Sequence, residues 1–296
     1  MTPRVSRTTP YLLLAPFLCV FAVFLAYPLA RSVLLATERS FGPSASASVG
    51  LENFRLLLED PVFWTAARNT LVFTAGSVLV QLPLALLLAL ALNRPGLRGR
   101  AVYRLVFFSP QLVGLVFSGI IASMMFEEKT GLINRALHRL IGFDPDFPWL
   151  QLHVMPMLIL TALWMYTGFN MIYFLAALQN VERSLTEAAT IDGANALQRF
   201  RHITLPAIRP VASFVVLLSV IGSIQLFELP FVIFAFTDYG GAGPENRALT
   251  LVWYLYQQGF EVGDLGYASA IGWMIAAVLF VLAFTQLAIV HRRPSR

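Results

Sequence analysis

The chain has 296 residues, 57% of them hydrophobic and 12% charged, with a formal net charge of +5. Soluble domains carry about twice that charged fraction, so a water-facing globule is excluded and the lipid bilayer is the expected solvent. The single cysteine, Cys19, excludes an internal disulfide, and the single lysine, Lys129, stands in EEKTG without the preceding glycine that a phosphate-cradling Walker A loop needs.

Six charge-poor runs are long enough to cross a hydrocarbon core of ~30 Å, which takes about 20 helical residues. They have no alternation of inside and outside residues, so they read as helices and not as barrel strands. The first, over 11–35, follows Arg4 and Arg7 but is longer than the apolar core of a signal peptide, so it is expected to be a retained span. The second covers 69–92 and is followed by a tight loop over 93–104, with Asn93-Arg94-Pro95-Gly96 as its turn signal. The third covers 105–126.

The fourth span, 152–178, places Tyr166, Asn170 and Tyr173 on one helical face. That face reads either as an aromatic-plus-amide surface for a sugar or as an interhelical hydrogen bond from Asn170. The fifth span, 210–236, carries Gln225 and Glu228. Glu228 is either a pathway or gate residue or a hydrated carboxylate near the outer interface. Ser219, Gly222, Ser223 and Leu226 form a small-residue stripe expected to serve helix packing. The sixth span covers 266–290. The Trp253-Tyr254-x-Tyr256 cluster ahead of it is expected at the outer interface.

Arginine bias sets the orientation. With the N-terminus inside, the inner segments hold 13 basic and 3 acidic residues, against 8 basic and 13 acidic elsewhere. Both termini are therefore expected in the cytoplasm. The arginines are scattered between apolar runs, so they signal orientation and not nucleic-acid binding. Four histidines without metal-ligand spacing, none at membrane depth, leave neither a metal centre nor an intramembrane protease site, and no catalytic residue is assigned.

Between spans four and five lies a polar segment, 184–206, expected as two short helices. Ser184-Leu185-Thr186-Glu187 fits a capping box. Gly193 suits a left-handed helix end. Asn195-Ala196-Leu197-Gln198 offers a second cap, and Pro206 is expected to stop the second helix before Pro210 opens the next span. Spacing alone fits two readings: a plain interfacial elbow with Glu187 capping its own helix, or an interaction site built on the small Ala188-Ala189 patch flanked by Glu187 and Asp192.

The run EAATIDGANALQRFRHITLPAIRP closely resembles the EAA signature of permease subunits in binding-protein-dependent ABC importers. The matching positions are Glu187, Ala188, Ala189, Asp192, Gly193, Ala194, Phe200, Ile203, Leu205 and Pro206. YLLLAPFLCVFAVFLAYPL, GLENFRLLLEDPVFWTAARNT, Trp164-x-x-x-Gly168-Phe169-Asn170-Met171 and ALTLVWYLYQQGF are similar to sugar permeases of the maltose, glycerol-phosphate and lactose type. The outer turn TDYGGAGPEN departs from the tighter turn of that group.

The resemblance implies an all-α, polytopic, six-span fold of the type I importer in a bacterial inner membrane. It implies that the elbow docks on an ATP-binding subunit, with Glu187 pairing a basic residue there. It also implies a second, different permease, two ATP-binding subunits that use ATP and Mg²⁺ in place of any cofactor on this chain, and an extracytoplasmic solute-binding protein. The expected cargo is a carbohydrate or a glycerol-phosphate-like solute. The competing expectation is a secondary transporter driven by an ion gradient, with Glu228 as its cation site.

Overall fold

A computed structural model describes residues 9–40, 46–94, 96–235 and 241–291. Arg4, Arg7, Pro95, Phe236, the 237–240 part of the outer turn, and Arg292, Arg293 and Arg296 lie outside the described residues. The chain is almost wholly helical and divides into two compact units. One is residues up to Pro61 with Leu255–Ala277, and the other is Val62–Tyr254 with the end of the chain from Val278.

In the first unit, α1 (Thr9–Phe21) runs through a π-helical turn (Ala22–Ala26) into α2 (Tyr27–Leu35). The apolar stretch Tyr11–Leu35 has 25 residues and none of its most apolar window is buried within the chain. A lipid-facing or partner-facing span has that composition and that exposure. A two-stranded antiparallel hairpin follows, β1 (Glu38–Ser40) and β2 (Ser46–Ser48). Then comes α3 (Glu52–Glu59).

Asn53, 2% exposed, pins this hairpin to the helices: its Nδ2 donates to the carbonyls of Ala36 (3.0 Å) and Glu38 (2.9 Å). Arg31 pairs with Glu38 at 3.2 Å, and the Tyr267 hydroxyl donates to Asp60 at 2.8 Å. Asp60 is extended (φ −81°, ψ 114°), as a residue before proline is pushed to be. Pro61 then opens the next helix at the position where its missing N–H costs nothing.

In the second unit, α4 (Pro61–Leu92) begins eight residues before the expected 69, because the preceding connection contributes its own helical residues. After a short loop, α5 (Arg100–Val113) and α6 (Leu115–Met125) replace the single third span expected over 105–126. They are bent by 96° at Gly114, whose φ of 82° and ψ of 158° suit glycine alone among residues. The correction has a local cause. Nothing in the apolar composition signals the break; one glycine in an extended left-handed conformation makes it.

The connection 127–151 also holds structure that was not expected, α7 (Leu132–Ile141). Asn134, 1% exposed, organises it. Its Nδ2 donates to the carbonyls of Glu128 (3.1 Å) and Phe147 (3.0 Å), and its Oδ1 accepts from Trp149 Nε1 at 2.7 Å. Trp149 lies edge-on to Phe126 and Phe147, with ring centroids 5.3 and 4.7 Å away. Asn134→Ala is expected to cost about 2–4 kcal/mol, because one buried and two half-buried partners are left unpaired at once. A thermal melt of the purified protein checks this; an unchanged midpoint would show that the connection is held by its aromatic rings alone.

Nearby, the Thr130 hydroxyl donates to Glu127 at 2.6 Å, and the Thr130 amide adds a second bond. These bonds hold the Glu127 carboxyl below its ordinary range. Their contribution to stability is therefore present above the ordinary carboxyl pKa and fades as pH falls through the lowered one.

The fourth span is α8 (Val154–Gln179), within two residues of the expected bounds. It packs on α5 so closely that a Cβ on Gly168 would lie 1.7 Å from the Phe107 carbonyl oxygen. Beyond α9 (Arg183–Ile191) and α10 (Ala196–Arg199), a π-helical turn (Phe200–Thr204) leads into α11 (Leu205–Ile224). Leu82, Ala85 and Ala89 of α4, Met171 and Phe174 of α8, and Ile208 and Val215 of α11 share one core cluster.

Residues 225–227 leave the regular helix, and α12 (Glu228–Ala235) resumes it. α12 lies against α6, and Gly119 makes the approach possible: a Cβ there would meet Val232 Cγ1 at 2.8 Å. A 3₁₀ turn (Pro244–Asn246), α13 (Leu251–Tyr256), a further π-helical turn (Gln257–Val262) and α14 (Leu265–His291) complete the order.

Among the described residues, five helical stretches are long and apolar enough to cross a membrane, and the bent α5–α6 pair makes a sixth. The stretch Ala196–Ala235 has 40 residues. At 1.5 Å per residue that exceeds the hydrocarbon core about twofold, so part of it stands outside the membrane.

Candidate functional site

The polar segment between the fourth and fifth spans folds by its own local chemistry. α9 ends in a Schellman motif: Gly193 takes φ +78°, its N–H donates to the Thr190 carbonyl (3.2 Å), and the Ala194 N–H donates to that of Ala189 (2.9 Å). Two residues on, Asn195 starts α10 with a reciprocal capping box. The Gln198 N–H donates to Asn195 Oδ1 (2.9 Å), and the Asn195 N–H donates to Gln198 Oε1 (2.8 Å). Both features follow the expectation from sequence.

Two other expectations are corrected. The capping box over 184–187 is not formed. The helix starts at Arg183, so Ser184 is already its second residue, and its hydroxyl turns back to Glu182 Oε1 at 2.6 Å. Glu187 is left exposed, with no hydrogen bond or ion pair within the described chain. Pro206 does not stop the second helix either. The π-helical turn before it adds a residue to the turn, with the Leu205 N–H donating to the Phe200 carbonyl, and a ring with no N–H is accommodated there.

The elbow is an outward-facing surface. No residue of α9 or α10 is buried. Glu187, Ala188, Asp192 and Pro206 are exposed, Ala189, Ala194 and Phe200 half-buried. Ile191 and Leu197 stand 86% and 73% exposed, with Leu205 at 41%. These are large apolar side chains on an otherwise polar bend. A groove of about 470 Å³ runs along it, with Asp192, Arg199 and His202 among its walls.

A second concavity, of about 190 Å³, lies between α4, α8 and α11. Tyr166 and Asn170 line it, as one reading of the fourth span expected. Tyr173 does not: its ring lies 5.1 Å from Phe169, which does line the cavity, and 6.3 Å from Phe214. Position 173 is only about 20° round the helix from 166 but about 10 Å further along it, beside Phe214 of α11 and beyond the cavity lining. Gln225 and Glu228 are exposed and also outside this lining.

Of the stripe expected to pack helices, Ser219, Gly222 and Ser223 of α11, and Leu226 just past its end, line the cavity. Sequence reasoning missed the α4 contribution altogether. Phe73, Ser77 and Gln81 recur at a spacing of four, and the two polar members join by a bond from Ser77 Oγ to Gln81 Oε1 of 3.0 Å. Two buried polar residues one turn apart in an apolar helix were the available signal. Among the described residues, no charged side chain lines the cavity. The Trp253-Tyr254 pair is also corrected: the residues are 2% and 5% exposed, and Trp253 lies edge-on to Phe231 at 5.6 Å, so they belong to the core.

Comparison with known proteins agrees with this architecture. The arabinooligosaccharides transport system permease protein AraP of Bacillus subtilis (strain 168) is 39% identical over 95% of this chain and 88% of its own length. The lactose transport system permease protein LacF of Rhizobium radiobacter is 36% identical over 93% and 92%. The sn-glycerol-3-phosphate transport system permease protein UgpA of Agrobacterium fabrum (strain C58 / ATCC 33970) is 31% identical over 97% and 96%.

Among solved structures, a chain of a bacterial alginate ABC transporter, crystallised in complex with alginate pentasaccharide-bound periplasmic protein, superposes with a TM-score of 0.81. Its identity is 25%, over 95% of this chain and 93% of that one. The fold is that of a type I ABC importer permease, and the ion-gradient alternative finds no support among these relatives. Residues 81–296 match the family described as binding-protein-dependent transport system inner membrane component, and the chain belongs to that family of membrane-spanning ABC permeases.

Proposed function

We propose that the chain is one of two permease subunits of an ATP-driven importer of neutral carbohydrates. The observation that carries the reading is the exposed elbow. It holds its shape through a Schellman motif and a capping box, yet buries none of the residues of α9 and α10. Such a surface fits a partner, and its exposed Ile191 and Leu197 beside Glu187 and Asp192 suit a mixed apolar and charged groove on an ATP-binding subunit.

On this reading both termini lie in the cytoplasm. Two ATP-binding subunits hold the ATP and Mg²⁺, and a second, different permease completes the pathway. An extracytoplasmic binding protein delivers the solute. Closure of the ATPase pair draws the elbows together and favours the outward-open permease. That coupling requires the ATPases to bind the two permease states with different free energies.

The cargo class rests on the cavity. Its aromatic faces (Phe73, Tyr166, Phe169), amides (Gln81, Asn170) and serines, with no cation among them, suit stacking and hydrogen bonding to a neutral polyol. A phosphate would meet no compensating charge there. The relatives for arabinooligosaccharides and lactose agree with this class, and the sn-glycerol-3-phosphate relative does not.

Uptake by the complete assembly in proteoliposomes tests the reading. ATP inside and a cognate neutral oligosaccharide with its binding protein outside are expected to give accumulation without any ion gradient. Uptake that follows a proton gradient and ignores ATP would overturn it.

A further inference from the structure

The cavity between α4, α8 and α11 has one position in its wall where a side chain can be added without touching the protein. Gly222 lies within α11, with no left-handed backbone to preserve. A Cβ built on it meets nothing within 4 Å, although the residue lines the cavity. The other helical glycines of this unit behave differently. A Cβ on Gly168 would strike backbone at 1.7 Å, one on Gly119 would strike Val232 at 2.8 Å, and one on Gly76 would strike Ile159 at 2.5 Å. Those three exist so that helices can approach. Packing among the described residues does not explain Gly222, which is exposed in this chain, and helix propensity argues against a glycine there.

The neighbours of Gly222 supply the rest of the argument. Ser219 and Ser223 flank it on α11, while Asn170 of α8 and Gln81 of α4 reach the same space from the other walls. Asn170 and Gln81 are 6% and 4% exposed. The Ser77 hydroxyl occupies one acceptor site on Gln81 Oε1 and leaves the Gln81 amide nitrogen unoccupied by it. A solute held by these groups would have its bulk against the one wall position that lacks a side chain.

We propose that Gly222 is a specificity-determining residue, whose missing side chain sets the largest neutral sugar that the permease passes. The proposal rests on the reading that the cavity lies on the solute path. Each methylene added to a binding pocket changes discrimination by roughly 10–200-fold when it has nowhere to go. A series Gly222→Ala, Gly222→Val and Gly222→Leu should therefore narrow the size range step by step.

The experiment uses the complete assembly in proteoliposomes with its binding protein and luminal ATP. The probes are the shortest and the longest members of one neutral oligosaccharide series that the wild type imports. The expected result is a maximal rate for the longest probe that falls at least about tenfold by Gly222→Val, with the rate for the shortest probe within about twofold of wild type. The thermal midpoint and the companion permease retained on purification should stay unchanged, because the new side chain enters open space.

Equal loss of both probes, or loss of the companion subunit, would overturn the proposal and place Gly222 at a subunit contact. Unchanged size preference through Gly222→Leu would also overturn it. Asn170→Leu in the same assay separates the two levels of the argument. Impaired uptake from Asn170→Leu with a silent Gly222 series leaves the cavity on the path and removes only the size role. Silence from both removes the cavity reading as well.

Discussion

Gly168→Val is expected to leave no folded permease to purify. A Cβ at this position would sit 1.7 Å from the Phe107 carbonyl oxygen, 2.3 Å from its carbon and 3.0 Å from the Phe108 nitrogen. All three are backbone atoms, so no rotamer change relieves the clash. Carbon contacts settle at about 3.5–4.0 Å, so α5 and α8 would have to separate by roughly 2 Å along their shared face.

Overpacking a core usually costs about 1–3 kcal/mol through side-chain adjustments alone. Forcing two backbones apart lies beyond that range. In a bilayer the loss is harder to offset, because close van der Waals approach at small residues is itself what joins helices. The Phe108–Phe169 stack, with centroids 6.5 Å apart, goes with it.

Expression as a fluorescent fusion, read by size-exclusion chromatography in detergent, checks the outcome. Gly168→Ala should already lose most of the monodisperse peak, since its Cβ is the clashing atom. Gly222→Ala, where the added Cβ meets nothing within 4 Å, should keep the full peak. A normal profile for Gly168→Ala would mean that α5 and α8 are not pressed together there.

The contrast between these two glycines shows what the sequence made legible and what it did not. Apolar runs are long-range signals, so the spans over 11–35 and 152–178 could be placed within two residues, and arginine bias suggested an orientation. Local chemistry was also readable where one residue type has one cheap use, as with Gly193 at φ +78° and the Asn195–Gln198 box.

Features set by neighbours distant in sequence were not readable. Gly168, Gly119 and Gly222 look alike in the chain, yet two are approach points and one faces open space. The bend at Gly114 lies inside an apolar run that hydropathy scores as continuous. Ser219 to Leu226 read as packing because a stripe of small residues fits both a helix contact and a cavity wall. Gln81 and Ser77 went unremarked because the fourth span offered a more aromatic face. Tyr173 was placed with Tyr166 by spacing, but the α11 core claimed its ring.

The elbow carries the second large effect, and here the fold should survive while coupling fails. Gly193→Val forces a β-branched residue into the left-handed region, where an ordinary side chain already costs roughly 1–2 kcal/mol. Nothing lies within 4 Å of the added Cβ, so the penalty is purely conformational and falls on the turn itself. The Schellman bonds to Thr190 and Ala189 must weaken, and the angle between α9 and α10 must change.

On the proposed coupling, ATP-dependent uptake should then fall by at least about tenfold, which a loss of ~1.4 kcal/mol in the docked state suffices to produce. Monodispersity and thermal midpoint should stay near wild type, because the elbow buries no core. Gly193→Asn serves as the control, since asparagine tolerates the left-handed region, and most of the activity should return.

Glu187→Ala isolates the contact from the turn. Glu187 has no partner inside the described chain, so its removal leaves the permease itself unperturbed. Truncating one member of a buried charged pair at an interface typically costs about 2–5 kcal/mol, so ATP-binding subunits should co-purify in visibly reduced amount. Full activity of Gly193→Val together with undiminished co-purification of Glu187→Ala would leave the elbow as an interfacial bend without a motor on it. Loss in both, with a folded permease, is the result that only a gripped elbow produces.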